Sequence, residues 1–259
     1  MSFSVLVVDP AVPTDSVTTW PLSAQRLGFV HPGALDLAVR WVREQGCAEV
    51  LVLTRPRSLR RAQTVATTVA GALPGCAAHV VARETTMLTM AMAGSAALEL
   101  GLAAPQASAA ALASVDASVG GALLHRLSRL DVPRPSMWQH LTSLFGRRHV
   151  ALVGAPGSVH RADRTIEMPD DATLLVAAEE GSPEYAAVVA ALQPPGATHP
   201  VPPILPTSAT FGSAGTEFVA FVTAAGPSTT GECRVCTHPT SSPVCPFCRV
   251  RTTPQEITA

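Results

Sequence analysis

The chain has no lysine and no asparagine: every one of its 18 basic residues is arginine, and tyrosine occurs once. The missing amino acids are those with AT-rich codons, so the bias reads as GC codon pressure rather than as a selected surface chemistry. Charge is scarce as well, at 14% of residues with a net charge of −1. That balance leaves no electrostatic case for a nucleic-acid or acidic-membrane partner, which needs a concentrated basic field. No apolar stretch approaches the roughly 20 uninterrupted residues of a membrane helix, because Gly, Pro, Ser or Thr breaks each one, so no membrane insertion is expected. The opening segment MSFSVLVVDP has no basic region and too short an apolar run for a secretory signal. A cytoplasmic protein is expected.

Chemical motifs are missing too. There is no GxxxxGK[ST] phosphate loop, no GxGxxG after the first strand and no GxSxG elbow. HExxH and paired carboxylates are likewise absent, and seven of the eight histidines, His31, His79, His125, His140, His149, His160 and His199, are scattered along the chain ahead of Cys233. No residue is therefore expected to act as a nucleophile or proton-transfer catalyst.

What is present is a large apolar fraction, 47% of 259 residues, enough to bury one large core with a small appendage. Ser4–Val8 reads as a buried parallel strand. A Pro-punctuated connection over 11–32 leads to a helix at Leu35–Gln45 that Gly46 stops. A strand at Glu49–Thr54, a helix from Ser58 to Leu73 and a strand at Ala78–Ala82 complete a βαβ pattern with right-handed crossovers. Residues 86–115 are Ala-rich and helical in propensity. A helix is predicted from Gly120 to Leu130. β-ribbon is predicted between Met137 and Val176, with strands at Val150–Val153, Arg164–Met168 and Thr173–Ala177. A short helix at Glu184–Leu192 and a strand candidate at Glu217–Thr223 follow.

Six cysteines without an export signal favour thiolate chemistry over disulfides. Cys233 and Cys236 form one CxxC knuckle and Cys245 and Cys248 a second, eight residues on. Two such knuckles suit a tetrahedral thiolate site for Zn. Iron is the second reading, since Cys245-Pro-Phe-Cys248 resembles a rubredoxin knuckle. The lone Cys47 and Cys76 read as small core residues.

Several ordered segments resemble the β subunit of electron transfer flavoproteins. Val5-Leu6-Val7-Val8-Asp9-Pro10 stands where that family has its first strand and turn. His31-Pro32 is similar to its Asn-Pro, and Glu49-Val50 through Arg55-Pro56 to its second strand end. Ala113-Ser114-Val115-Asp116 resembles its nucleotide loop, and Pro183-Glu184-Tyr185 its Pro-Arg-Tyr turn. The resemblance implies an α/β fold with a Rossmann-like parallel sheet and flanking helices, to which the two CxxC knuckles add a small zinc-ribbon-like module. Together with the Pro-, Gly-, Ser- and Thr-rich stretch and the cysteines that follow, it divides the chain into an α/β domain at 1–195, an extended arm at 196–230 and a metal knuckle at 231–259. It further implies an electron-transfer subunit rather than a stand-alone enzyme, pairing with a flavin-carrying α subunit and a dehydrogenase. FAD would be shared with or held by that partner, and AMP binding would be weak or absent. Asp9, His31, Asp116, Ser118, Gly120 and Gly121 would be the cofactor-facing residues. The alternative is a cofactor-less scaffold whose zinc knuckle is a protein-interaction element.

Overall fold

The computed structural model describes residues 3–21, 26–101, 104–127, 130, 133–154, 156–224, 231–234 and 239–240. The first sheet contains β1 (Phe3–Val8), β2 (Thr18–Thr19), β3 (Leu27–Val30), β4 (Glu49–Thr54) and β5 (Ala77–Ala82). Its order is β2-β3-β1-β4-β5, parallel throughout except for β2 at the edge. Strand alternation assigns β1 to two cores. Val5 and Val7 face one, Leu6 and Val8 the other.

Helices α1 (Leu35–Gln45) and α2 (Leu59–Ala72) cover the Leu6/Val8 side through Ala38, Trp41, Val42, Ala62, Val65 and Val69. Helix α1 ends at Gly46, whose left-handed φ of 60° is open to glycine without strain. Helices α3 (Met87–Glu99) and α4 (Ala104–Ala117) lie on the opposite side. Their Met90, Ala91, Ala107 and Ala111 join β1 and β4 to Leu175, Val219 and Phe221 of a second sheet in one core.

That second sheet is the main departure from the expected single parallel sheet. It holds β6 (Val119–Leu124), β7 (His149–Val153), β8 (Ser158–Arg161), β9 (Thr173–Val176), β10 (Thr198–Pro200) and β11 (Gly215–Phe221). Their order is β10-β9-β11-β6-β7-β8, and β9–β10 is its one parallel pair. Helix α5 (Met137–Leu144) precedes β7, α6 (Pro183–Leu192) packs on the outer face, and α7 (Thr207–Phe211) leads into β11. Two short strands, β12 (Gly231–Glu232) and β13 (Pro239–Thr240), pair with each other.

The predicted α1, β4 and α6 are found nearly residue for residue, whereas several other elements differ. The connection over 11–32 contains β2 and β3. Residues 137–144, expected as ribbon, form α5, and Arg164–Met168 is irregular. The helix expected at Gly120–Leu130 is strand β6 over its first residues. There Gly120 lies so close to α3 that an added Cβ would sit 2.3 Å from Thr89 Oγ1. Most of the expected zinc-ribbon-like module lies outside the described residues. No helix among the described residues is long and apolar enough to cross a membrane.

Candidate functional site

A crevice opens in a parallel sheet where successive connections leave a strand on opposite sides. Here the chain passes from β1 to β3 on one side and then to β4 on the other. The crevice therefore lies at the carboxyl ends of β1 and β4, where Asp9 and Arg55 directly follow the strands. Both are buried. Arg55 Nε donates to Asp9 Oδ2 at 2.7 Å, and Nη2 lies 2.5 Å from the same oxygen. Nη2 makes no well-directed hydrogen bond. Asp9 Oδ1 accepts from the Ala11 N–H at 2.9 Å, and Thr54 Oγ1 donates to the Val8 carbonyl at 2.8 Å. The pair thus ties the two strand ends together and is internally compensated.

Two cavities open beside it. The inner one, about 210 Å³, is lined by Arg55, Arg57, Glu84, Thr85, Thr86, Met87, Leu130, Val153 and Phe211. The outer cleft, about 670 Å³, is lined by Pro10, Ser58, Arg57, Arg60, Arg61 and Ala209. Arg57 and Ala209 belong to both. Arg57, Arg60 and Arg61 are exposed and make no ion pair among the described residues. They surround the start of α2, whose first turn carries no acidic residue. The peptide dipoles there add to the positive potential. The outer cleft, which no acidic residue lines, suits a monovalent or divalent anion, whereas Glu84 gives the inner cavity a carboxylate of its own.

Behind the inner cavity, Glu217 of β11 is buried and accepts a hydrogen bond from the Leu88 N–H at 2.8 Å. Burial pushes its carboxyl well above the ordinary range, against the opposing effects of the Leu88 and Thr86 hydrogen bonds and the Arg55 charge. Thr86 caps α3 by accepting from the Thr89 N–H. The start of α3 is therefore held jointly by its own cap and by the second sheet.

The residues expected to face a cofactor are split between two places. Asp9 and His31 lie at the carboxyl ends of adjacent strands, joined where the Asp9 N–H donates to Val30. Asp9 is engaged by Arg55, and His31 Nδ1 accepts from the Gly33 N–H. Asp116 is an exposed partner of Arg83 at 2.9 Å. Ser118 Oγ donates to the Ser114 carbonyl at 2.6 Å and accepts from the Val222 N–H at 2.9 Å. Gly120 and Gly121 are buried mid-strand, rather than at a helix N-terminus. Arg55, Arg57, Thr86 and Glu217 are not among the residues expected from the sequence to form a site. Arg55-Pro56-Arg57-Ser58 immediately after a parallel strand is the available signal, which the family likeness treats only as a strand end.

Cys233 is buried, and Cys236, Cys245 and Cys248 lie outside the described residues. Among the described residues no group of three or more His, Cys, Asp and Glu could hold a metal ion. The expected zinc, or iron, finds no site there, and the metal-knuckle function is not carried forward.

The chain matches no protein-family model and no curated protein. Its fold, however, is similar to several solved structures. One is the DegV family protein Cg2579 from Corynebacterium glutamicum, with a TM-score of 0.57, 16% identity and coverage of 87% of this chain and 98% of that one. A second is the fatty acid kinase B3 protein of Streptococcus pneumoniae loaded with linoleic acid, with a TM-score of 0.57, 11% identity and coverage of 86% and 100%. A third is a fatty-acid-binding DegV family protein from Thermus thermophilus, with a TM-score of 0.56, 13% identity and coverage of 85% and 99%. At these identities the likeness speaks for the fold. It overturns the resemblance to electron transfer flavoprotein β subunits, since the matching architecture includes the second, mostly antiparallel sheet. With that resemblance go the electron-transfer function, FAD, AMP, the α-subunit partner and the dehydrogenase. The zinc-knuckle scaffold alternative has no support either.

Proposed function

We propose that this chain is a cytoplasmic carrier that binds a fatty acid, or a closely related acyl acid, in the crevice at the carboxyl ends of β1 and β4. The carboxylate sits on Arg57, and the chain lies against Met87, Leu130, Val153 and Phe211. The observation that carries this reading is the position of Arg57: it lines both cavities and has no acidic partner among the described residues. Arg55 is unsuited to the same role because Asp9 already neutralises it. The fatty-acid-loaded structures of similar fold support the choice of an acyl ligand over other anions.

The inner cavity, about 210 Å³, is smaller than the roughly 300–1,000 Å³ of pockets that bury drug-sized ligands. Met87, unbranched and adaptable, is the side chain best suited to yield at its wall. Affinity should therefore climb with acyl length and level off once the enclosed space is filled.

The test begins with solvent extraction and mass spectrometry of the purified chain, followed by calorimetric titration with saturated acids of increasing length. Arg57→Glu should weaken binding by about tenfold or more, from the loss of a charge-assisted contact of roughly 1.5–3 kcal/mol. Equal affinity for an acid and its methyl ester would remove the carboxylate anchor. Failure of every acid to bind would remove the reading altogether.

A further inference from the structure

Helix α5 is amphipathic the wrong way round for a helix at a protein surface. Its polar residues face the protein. Gln139 donates to the Val159 carbonyl at 2.7 Å, Ser143 accepts from the Leu127 N–H, and Thr142 meets His149 Nε2 at 3.3 Å. Its apolar residues face water: Met137 is 82% exposed, Trp138 74%, Leu144 61% and the following Phe145 84%, with Leu141 at 43%. At about 100° per residue these five occupy an arc of roughly 120° on one side. Isolated exposed apolar residues are ordinary, but a contiguous patch of this kind marks a contact surface.

Three arginines flank the patch in sequence, Arg134 before α5 and Arg147 and Arg148 after Phe145. Arg134, Arg147 and Arg148 are all exposed, and from residue 132 to 162 the sequence holds no Asp or Glu. The whole-chain charge of −1 hides this local excess of positive charge. Apolar side chains including Trp and Phe, flanked by arginine and free of acid, match the chemistry of an anionic bilayer surface. A second copy of the chain fits less well, because a two-fold contact would bring the same arginines together.

We propose that α5 and Phe145 form an interfacial docking element that inserts its apolar face among the head groups of anionic membranes, with Arg134, Arg147 and Arg148 on the lipid phosphates. The element lies in the surface rather than spanning it. This proposal does not rest on the acyl-acid reading, since the patch is exposed whatever the crevice binds.

Trp20 and Trp41 are buried, so the exposed Trp138 supplies a built-in reporter. The full chain is mixed with vesicles of phosphatidylcholine, with and without phosphatidylglycerol, and followed by tryptophan emission and co-sedimentation. The expected result is a blue shift and sedimentation on anionic vesicles that weaken as salt is raised. Trp138→Phe should remove most of the shift while leaving sedimentation intact. Paired Trp138→Ser and Phe145→Ser should reduce sedimentation about tenfold or more. Paired Arg147→Glu and Arg148→Glu should reduce it by a similar factor on anionic vesicles while leaving any residual binding to neutral ones unchanged. All these positions are exposed, and circular dichroism of each variant checks that the fold is kept. The proposal is overturned if the chain stays in the supernatant with anionic vesicles. It is equally overturned if Trp138 emission is already blue-shifted in buffer in proportion to dimer formation.

Discussion

Glu217 is the residue whose environment most departs from water. It is buried at the seam between the two sheets, and burial raises its carboxyl from the ordinary value of 4.5. The folded chain therefore keeps a proton there that the unfolded chain has released. Stability then falls as pH rises from about 4.5 toward the raised folded value, and stays low above it. Glu217→Gln preserves an oxygen for the Leu88 N–H and removes the ionisation. Its melting temperature should exceed the parent's by more at pH 8 than at pH 5, as scanning calorimetry would show; an equal difference at both pH values would refute it. His149 gives the opposite slope. Burial lowers its imidazole from 6.5, so the unfolded chain takes up protons first and stability is lost as pH drops below about 6.5 toward the lowered folded value. His149→Gln should flatten that limb in an acid titration of stability. Neither behaviour was legible in the sequence. In the sequence Glu217 is only the start of a strand candidate, and its hydrogen-bond donor, Leu88, lies 129 positions away. The Asp9–Arg55 pair is hidden for the same reason, spanning 46 positions.

Among the elements, those with local signals were legible and those made by tertiary contact were not. Helix α1 carries its apolar face and its stop, Gly46, within its own sequence, and β4 is a continuous apolar run between polar ends. Strand β6 is the counterexample. Val119-Gly120-Gly121-Ala122-Leu123-Leu124 suggested a glycine-led helix start, yet both glycines serve the strand. Gly120 admits the start of α3, and Gly121 admits the Ala151 carbonyl, which an added Cβ would approach to 2.4 Å. Gly120→Val should therefore force α3 away from β6 and cost about 1–3 kcal/mol by overpacking. Thr86→Ala, at the same contact, should cost about 1 kcal/mol through loss of the α3 cap. The two side chains touch one region, so chemical denaturation of the double variant should depart from additivity. Additive losses would mean that cap and glycine act independently. Helix α5 falls where the sequence predicts β-ribbon, and its apolar stripe points to water, an orientation that no local pattern encodes.

At the scale of the molecule, the nucleus β1–β3–α1–β4–α2–β5 is a common parallel arrangement, and short segment likenesses within it could not tell one such fold from another. The discriminating information lies in the second sheet, whose pairings between β6, β9 and β11 join residues far apart in sequence. That sheet is not an independent body. Val219 and Phe221 of β11 and Leu175 of β9 share one core with Val5, Val7, Leu51 and Met90, and Glu217 adds a hydrogen bond across the seam. Removing either sheet would expose the apolar faces of α3 and α4, so the two halves should unfold together. Near-ultraviolet circular dichroism of a Trp20→Phe variant, dominated by Trp41 on the α1 side of the first sheet, and hydrogen exchange at the β6 and β11 amides, on the second, should then report the same midpoint in guanidinium. Phe221→Ala, in the shared core, should shift both midpoints together by about 3–5 kcal/mol of lost stability. Movement of the β6 and β11 signals alone would show that the sheets are separate cooperative units, and the crevice between them would then be free to open without unfolding either one.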